Sequence, residues 1–255
     1  PGRVNLVAAH FETRECDVQS REFHTITGYY HGKRITVVST GIGCDNIDIV
    51  LNELDALANI DFATRLEKDT LRHLHLVRIG TCGGLQPNTP VGTFVCSQIS
   101  IGLDGLLNFY AGRNAVCDLP MERAFLNHMG WSGNLCTPAP YVIHADEELV
   151  ERIAAHDMVR GITLAAGGFF GPQGRELRVP LADPHQNEKI ESFTYHGLHI
   201  TNFEMESSAL AGLARLMGHH ATTVCMVIAN RLAHEANTSY KNTIDNLIET
   251  VLERV

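Results

Sequence analysis

The residues able to do chemistry gather in three short stretches. The first is Arg78-Ile79-Gly80-Thr81-Cys82-Gly83-Gly84, a cation and a hydroxyl set among glycines. Arginine offers a rigid fork of donors suited to an oxyanion, and glycines allow positive φ and close approach of backbone to a ligand. The same residues also fit a tight turn beside a structural ion pair. Their spacing is neither that of a Walker loop nor that of a dinucleotide loop, which argues against ATP and NAD. The second stretch, Gly167-Gly168-Phe169-Phe170-Gly171-Pro172-Gln173-Gly174-Arg175, is too rich in glycine and proline for a helix. In it Gln173 can both donate to and accept from an imide-like ring edge, and Arg175 can stabilise negative charge arising on a carbonyl oxygen. The third is Glu204-Met205-Glu206-Ser207. Carboxylates two residues apart are expected to diverge, so they do not make the flanking pair of a glycosidase.

These stretches need elements to aim them. Leu74-His75-Leu76-Val77 reads as a buried strand ending at the glycines, which predicts a turn at the carboxyl end of that strand, where open α/β sheets bind ligands. Ser39-Thr40-Gly41-Ile42-Gly43 is a second strand-to-glycine turn, leading into a helix with Ile47, Val50, Leu51, Leu54 and Leu57 on one face. Val4, Val7, Ala8 and Phe11 predict an earlier helix, and Phe23 to Tyr29 with Ile35 to Val38 predict a hairpin turning at His31-Gly32. Asp146 is placed to cap a helix carrying Leu149, Val150 and Ile153, and Asp104 beside glycine reads as a turn residue. A polar helix is predicted near residues 185 to 196, and Ile200-Thr201-Asn202-Phe203 leads into the third stretch at a strand-to-helix junction. Val224 to Ala229 form an apolar strand ending in Asn230-Arg231, and the chain closes on a helical stripe from Ile244 to Val255. Strands alternating with helices predict one three-layer α/β domain over residues 1–255.

Composition bounds the function. With 255 residues, 44% hydrophobic and 19% charged, the chain can bury a sizeable core. No apolar run reaches the roughly 20 residues of a membrane helix, and no leader pattern is visible, so a cytoplasmic location with no membrane partner is expected. Seven cysteines without CxxC spacing and fourteen histidines without HExxH spacing predict neither a disulfide scaffold nor a metal site. A net charge of −9 argues against nucleic acid, so an anionic substrate needs a local arginine cluster.

The stretch RIGTCGGLQP followed by VGTFV, with SREF at Arg21, STGIG, the Phe169, Gln173 and Arg175 spacing, EMES, and Asn230-Arg231, resembles the nucleoside phosphorylase family in its uridine phosphorylase branch. The resemblance spans nearly the whole chain. It implies a single-domain α/β/α fold with a central mixed sheet and the reversible phosphorolysis of uridine to uracil and ribose 1-phosphate. It also implies phosphate contacts from Gly2, Arg3, Arg21, Arg78 and Thr81, with a few loop residues missing after Gly2. Cys82, Gly83, Phe169, Gln173, Arg175, Asn230 and Arg231 match base-pocket positions, while Met205, Glu206 and Thr81 match ribose positions. Arg78, Arg175 and Glu206 carry the catalytic roles. Phosphate is a co-substrate and no cofactor is required. The family implies a homo-oligomer with shared active sites, a dimer or a trimer of dimers, in which Arg21 reaches the neighbouring phosphate site. Hexameric members hold potassium at positions matching Glu22, Ile42 and Asn46; Asn46 departs from their serine, so no ion is expected. Purine nucleoside phosphorylases and nucleosidases share the fold, but asparagine at Asn230, where the purine enzymes carry aspartate, favours pyrimidine. A non-catalytic nucleoside-binding protein remains compatible with every contact residue.

Overall fold

The computed structural model describes residues 1–131, 139–232, 235–237 and 243–255. In chain order its elements are α1 (Gly2–Ala8), β1 (Thr13–Ser20), β2 (Phe23–Tyr30), β3 (Lys33–Val38), α2 (Cys44–Asn59), β4 (Ile60–Asp61), β5 (Leu66–Glu67), β6 (His75–Gly84) and β7 (Phe94–Gly102). There follow α3 (Arg113–Val116), α4 (Leu119–Met129), β8 (Tyr141–His144), α5 (Glu147–Ala154), β9 (Val159–Ala165), α6 (Gln186–Ser192), β10 (Thr194–Tyr195) and β11 (Leu198–Glu204). The chain ends with α7 (Ser207–Leu216), β12 (His220–Asn230), β13 (Glu235–Ala236) and α8 (Ile244–Arg254). Two compact units result: Pro1–Ile42 with the C-terminal helix, and Gly43–Asn237.

In the smaller unit β1, β2 and β3 form an antiparallel sheet. The expected hairpin turns at His31-Gly32, both residues having positive φ (47° and 74°) between the paired Tyr30 and Lys33, as the twist of a two-residue hairpin requires. The apolar face of α1, Val4, Val7 and Ala8, is buried. Strand β1 went unread in the sequence because it is exposed along its whole length and so lacks apolar alternation.

The larger unit is built on a mixed sheet in the order β13-β12-β6-β11-β9-β7-β8, with β10 beside β11. This is the expected central sheet. Its path also closes, since β12 pairs antiparallel with β7 as well as parallel with β6. Helices α5 and α7 pack on β7 and β12, with α2 against α7, while α4 and α6 pack on β8 and β11. Beneath α4 and α6, Met121, Phe125, Met129, Ile190 and Phe193 meet Ile99, Ile101, Val142, Leu164, Ile200 and Phe203 in one core cluster.

Local chemistry sets the helix ends. Asp118 caps α4 through the Met121 N–H at 3.0 Å, and Gly130 ends it in the left-handed region. Asp146 caps α5 as expected, accepting from the Leu149 N–H at 2.9 Å. Asp104 is the turn residue anticipated, accepting from the Leu106 N–H at 2.8 Å and from the Tyr141 hydroxyl. Leu57 departs from the expected core face of α2 and is exposed, and the polar helix near 185 to 196 ends at Ser192, with β10 beginning two residues later at Thr194.

The clearest correction concerns the glycines after Val77. They form no turn: β6 continues through Arg78, Gly80, Thr81 and Cys82 to Gly84, because β12 supplies ladder partners along all of it. Strand pairing overrides the local turn preference of glycine.

Candidate active site

Strand β6 carries Arg78 into the interior, where its side chain is only 14% exposed. Gly80 makes this possible. A Cβ there would fall 2.5 Å from Arg78 Nη1 and 2.8 Å from Cys225 Sγ, so only glycine lets the guanidinium lie back along its own strand. Arg78 Nη2 donates to Glu206 Oε2, and Nη1 donates to Glu204 Oε2 at 3.2 Å. The two carboxylates, expected to diverge, converge on one arginine. Their placement explains why: Glu204 is the last residue of β11 and Glu206 the N-cap of α7, so the change from strand to helix turns both side chains to the same side.

Glu204 is held further by the start of α7. It accepts from the backbone N–H of Glu206 at 2.9 Å, from that of Ser207 at 2.9 Å and from the Ser207 hydroxyl at 2.6 Å. These donors are among those a helix N-terminus leaves unsatisfied. Glu206 Oε1 accepts from the Gly43 N–H at 2.6 Å, at the N-cap of α2. Burial alone would lower the Arg78 pKa, but Glu206 and Glu204 outweigh it and hold the guanidinium above its ordinary value. Burial raises the Glu204 pKa, opposed by Arg78. The result is a fixed cation between two carboxylates, able to meet an anion on one side and hydroxyl donors on the other. Glu204 was missed as a site partner, though the EMES wording contains it, whereas Gly43 belongs to the STGIG turn already part of the family resemblance.

A second group forms around Gln173, which is 3% exposed. Arg175 Nη1 donates to the Gln173 side-chain oxygen and, at 2.7 Å, to the Phe169 carbonyl, while its guanidinium carbon stands 4.0 Å over the Phe169 ring. Arg231 Nη2 donates to the Gln173 carbonyl at 2.9 Å, and its Nη1 is buried without an acceptor among the described residues. Burial lowers the pKa of both arginines, and Arg231 lowers that of Arg175 further. Two partly desolvated cations thus flank one amide, an arrangement that a negative charge nearby would relieve.

The structure therefore joins Arg78 to Glu206, and Phe169 to Gln173, Arg175 and Arg231. Thr81, Gly83 and Met205 are partly exposed. Cys82 is buried with its thiol pushed up by burial and by Cys225. Asn230 is buried, its amide donating to the Thr89 carbonyl at 2.7 Å and the Gln86 carbonyl at 3.2 Å. Gly2, Arg3 and Arg21 belong to the smaller unit. Gly2 and Arg3 lie in the first turn of α1, and Arg21 is exposed between β1 and β2 with φ 52°.

The profile of the Phosphorylase superfamily matches residues 1–254. The chain belongs to that family. It is accordingly an enzyme of the nucleoside phosphorylase type. It is similar to a uridine phosphorylase of Thermococcus kodakarensis, 29% identical over 243 residues that cover 92% of this chain and 72% of the relative. It is also similar to a DeoD-type purine nucleoside phosphorylase of Geobacillus kaustophilus, 26% identical over 258 residues, covering 99% and 88% of the two chains. Among solved structures, a Trypanosoma brucei nucleoside phosphorylase described as showing uridine phosphorylase activity superposes with a TM-score of 0.88 at 25% identity, covering 100% of this chain and 90% of the other.

Proposed function

We propose that the chain is a uridine phosphorylase, converting uridine and phosphate reversibly to uracil and ribose 1-phosphate in pyrimidine salvage. The observation carrying this reading is the Gln173 group: a buried amide flanked by Arg175 and Arg231, with Phe169 alongside to stack on a base. Uracil presents alternating carbonyl and N–H groups that one glutamine side chain can meet with both a donor and an acceptor. The family resemblance adds Asn230, Cys82 and Gly83 to the base pocket.

In this mechanism Arg78 and Thr81 hold phosphate for attack at C1′. Glu206 accepts from the ribose hydroxyls, with Met205 and Thr81 against the sugar. Arg78 has its donors on Glu206 and Glu204, and phosphate competes for them. Glu206 is thereby released toward the sugar, whereas Glu204 remains tied to the α7 backbone. As the glycosidic bond breaks, uracil gains negative charge and C1′ gains oxocarbenium character. Arg175, relieved of its repulsion from Arg231, stabilises that charge more than it stabilises the neutral ground state. The residues need no cofactor for this chemistry. The family resemblance supports a cytoplasmic homo-oligomer in which Arg21 completes a neighbour's site.

Base release from uridine and from inosine, each with and without phosphate, tests the proposal. Phosphate-dependent uracil release supports it. Faster release of hypoxanthine assigns the chain to purines, phosphate-independent release makes it a nucleosidase, and tight uridine binding without turnover makes it a binding protein.

A further inference from the structure

The larger unit holds a concavity apart from the Arg78 cluster. It lies between the segment 170–182 and the side chains of Leu103 and Trp131, with a volume of about 630 Å³, in the range that takes a small organic molecule. Its walls are apolar, chiefly Trp131, Leu177, Val179, Pro180 and Leu181. Leu177 is 78% and Val179 66% exposed, so much of this apolar surface faces solvent. Contiguous exposed apolar surface of this kind marks a place where something binds. The Trp131 indole N–H offers the cavity no free donor, because it donates to Asp183 Oδ2 at 3.1 Å, a carboxylate also held by Lys189 Nζ at 2.7 Å. The cationic lining comes from Arg175 and Arg178. Arg175 is already engaged by Gln173 and the Phe169 carbonyl, whereas exposed Arg178 makes no ion pair with any described residue.

Neither Arg78, Thr81, Gln173 nor Glu206 lines this cavity. Of the residues assigned to the nucleoside only Arg175 borders this cavity, and its guanidinium is turned to Gln173 and the Phe169 carbonyl; a sugar placed in the cavity would meet almost no acceptors. We infer that the cavity is a separate binding site for a flat apolar organic anion, an aromatic sulfonate or carboxylate whose ring lies against Trp131 and whose charge meets Arg178. Apolar burial supplies the affinity and the arginine fixes the orientation. Phe170, Pro172 and Arg175 belong both to this cavity and to the segment that carries Gln173, so the ligand bears directly on the base-reading loop.

Trp131 is the only tryptophan in the sequence, which makes its emission a reporter for this one place. The anionic probe is 8-anilinonaphthalene-1-sulfonate and the uncharged control is N-phenyl-1-naphthylamine, titrated into the full chain without substrate. The sulfonate is expected to quench Trp131 saturably with one site per chain, and saturating uridine with phosphate should not displace it. Arg178→Ala should weaken the sulfonate about tenfold while leaving the uncharged dye as before. Val179→Asp should weaken both, with circular dichroism confirming that each variant is folded. Absence of saturable quenching, equal affinity in wild type and both variants, or displacement by uridine alone would each overturn the proposal. The readout needs no turnover, so it stands or fails independently of the assignment to uridine.

Discussion

The two halves of the candidate site are built in opposite ways. Arg78 sits within β6 and Glu204 and Glu206 at the junction of β11 with α7, all nearly buried and each tied by charge-assisted bonds to the others or to backbone. Phe169, Gln173 and Arg175 lie on a segment whose only helical turn is Gly171–Gln173, and their contacts are largely with one another. The difference is one of coupling. In the first half binding and stability share the same bonds, whereas in the second, chemistry can be altered with little cost to the fold.

Arg78→Met is the sharpest way to test this. Removing the cation leaves two buried carboxylates facing each other, and breaking such a pair costs about 3–5 kcal/mol of stability. Activity should fall with it, kcat/KM dropping by at least about 1000-fold once the loss of an anion clamp is included. Urea unfolding and steady-state kinetics on the folded fraction give both numbers. A variant that loses activity but keeps wild-type stability would mean that the cluster is a binding site only and carries no structural load.

Arg175→Ala should separate the two properties. The expected outcome is a kcat lower by about 100-fold, as for loss of an oxyanion donor, with KM for phosphate unchanged and stability within about 0.5 kcal/mol of wild type. Normal turnover with weakened phosphate binding would place this arginine in the other half of the site.

Glu206→Gln probes the first half more finely. The variant weakens both the pair with Arg78 and the charged acceptor for a sugar hydroxyl. Only the second effect depends on the substrate. The loss in kcat/KM should therefore be about tenfold greater for uridine than for 2′-deoxyuridine, since a hydrogen bond to a charged group is the one removed. Equal losses on the two substrates would rule out a direct role at the 2′-hydroxyl.

What the sequence revealed follows the same division. The Gln173 segment was readable because Phe169, Gln173 and Arg175 lie within seven residues of one another, whereas Arg231, the second cation on Gln173, comes from a distant part of the chain. The Arg78 cluster was readable only in part. Arg78 and Glu206 stood out by type, but their meeting depends on the pairing of β6 with β11, which links residues far apart in sequence. Gly80 was read as turn chemistry although its role is to leave room for a guanidinium, and Glu204 was set aside because the geometry of a strand-to-helix change is not visible in a spacing of two. The closure of the sheet through β12 and β7 had no local signal at all, since each strand is apolar whichever neighbour it takes.

The smallest effect is predicted at the other end of the strands that carry Arg78, where acid should act on the fold rather than on the chemistry. His219 stands just before β12, its ring fully buried, with Nδ1 accepting the Leu74 N–H at 3.2 Å and Nε2 3.2 Å from Asp55 Oδ1. An imidazole nitrogen that accepts a backbone N–H must be unprotonated, so this ring is neutral in the folded chain. Burial is the main cause that lowers its pKa below the ordinary 6.5; Asp55 opposes the shift, and His73 and His220 add to it. The sign follows from linkage. Above about pH 6.5 the ring is neutral in both folded and unfolded chains and its full contribution is present; as pH falls further, the unfolded chain takes up a proton that the folded chain refuses, and stability is lost down to the folded pKa. The difference in urea midpoint between wild type and His219→Gln should therefore shrink between pH 7.5 and 5.5, because the variant has no proton to gain at this position. A difference that stays constant across that range would show that His219 is not held neutral, and that this end of β12 is no more sensitive to acid than the rest of the fold.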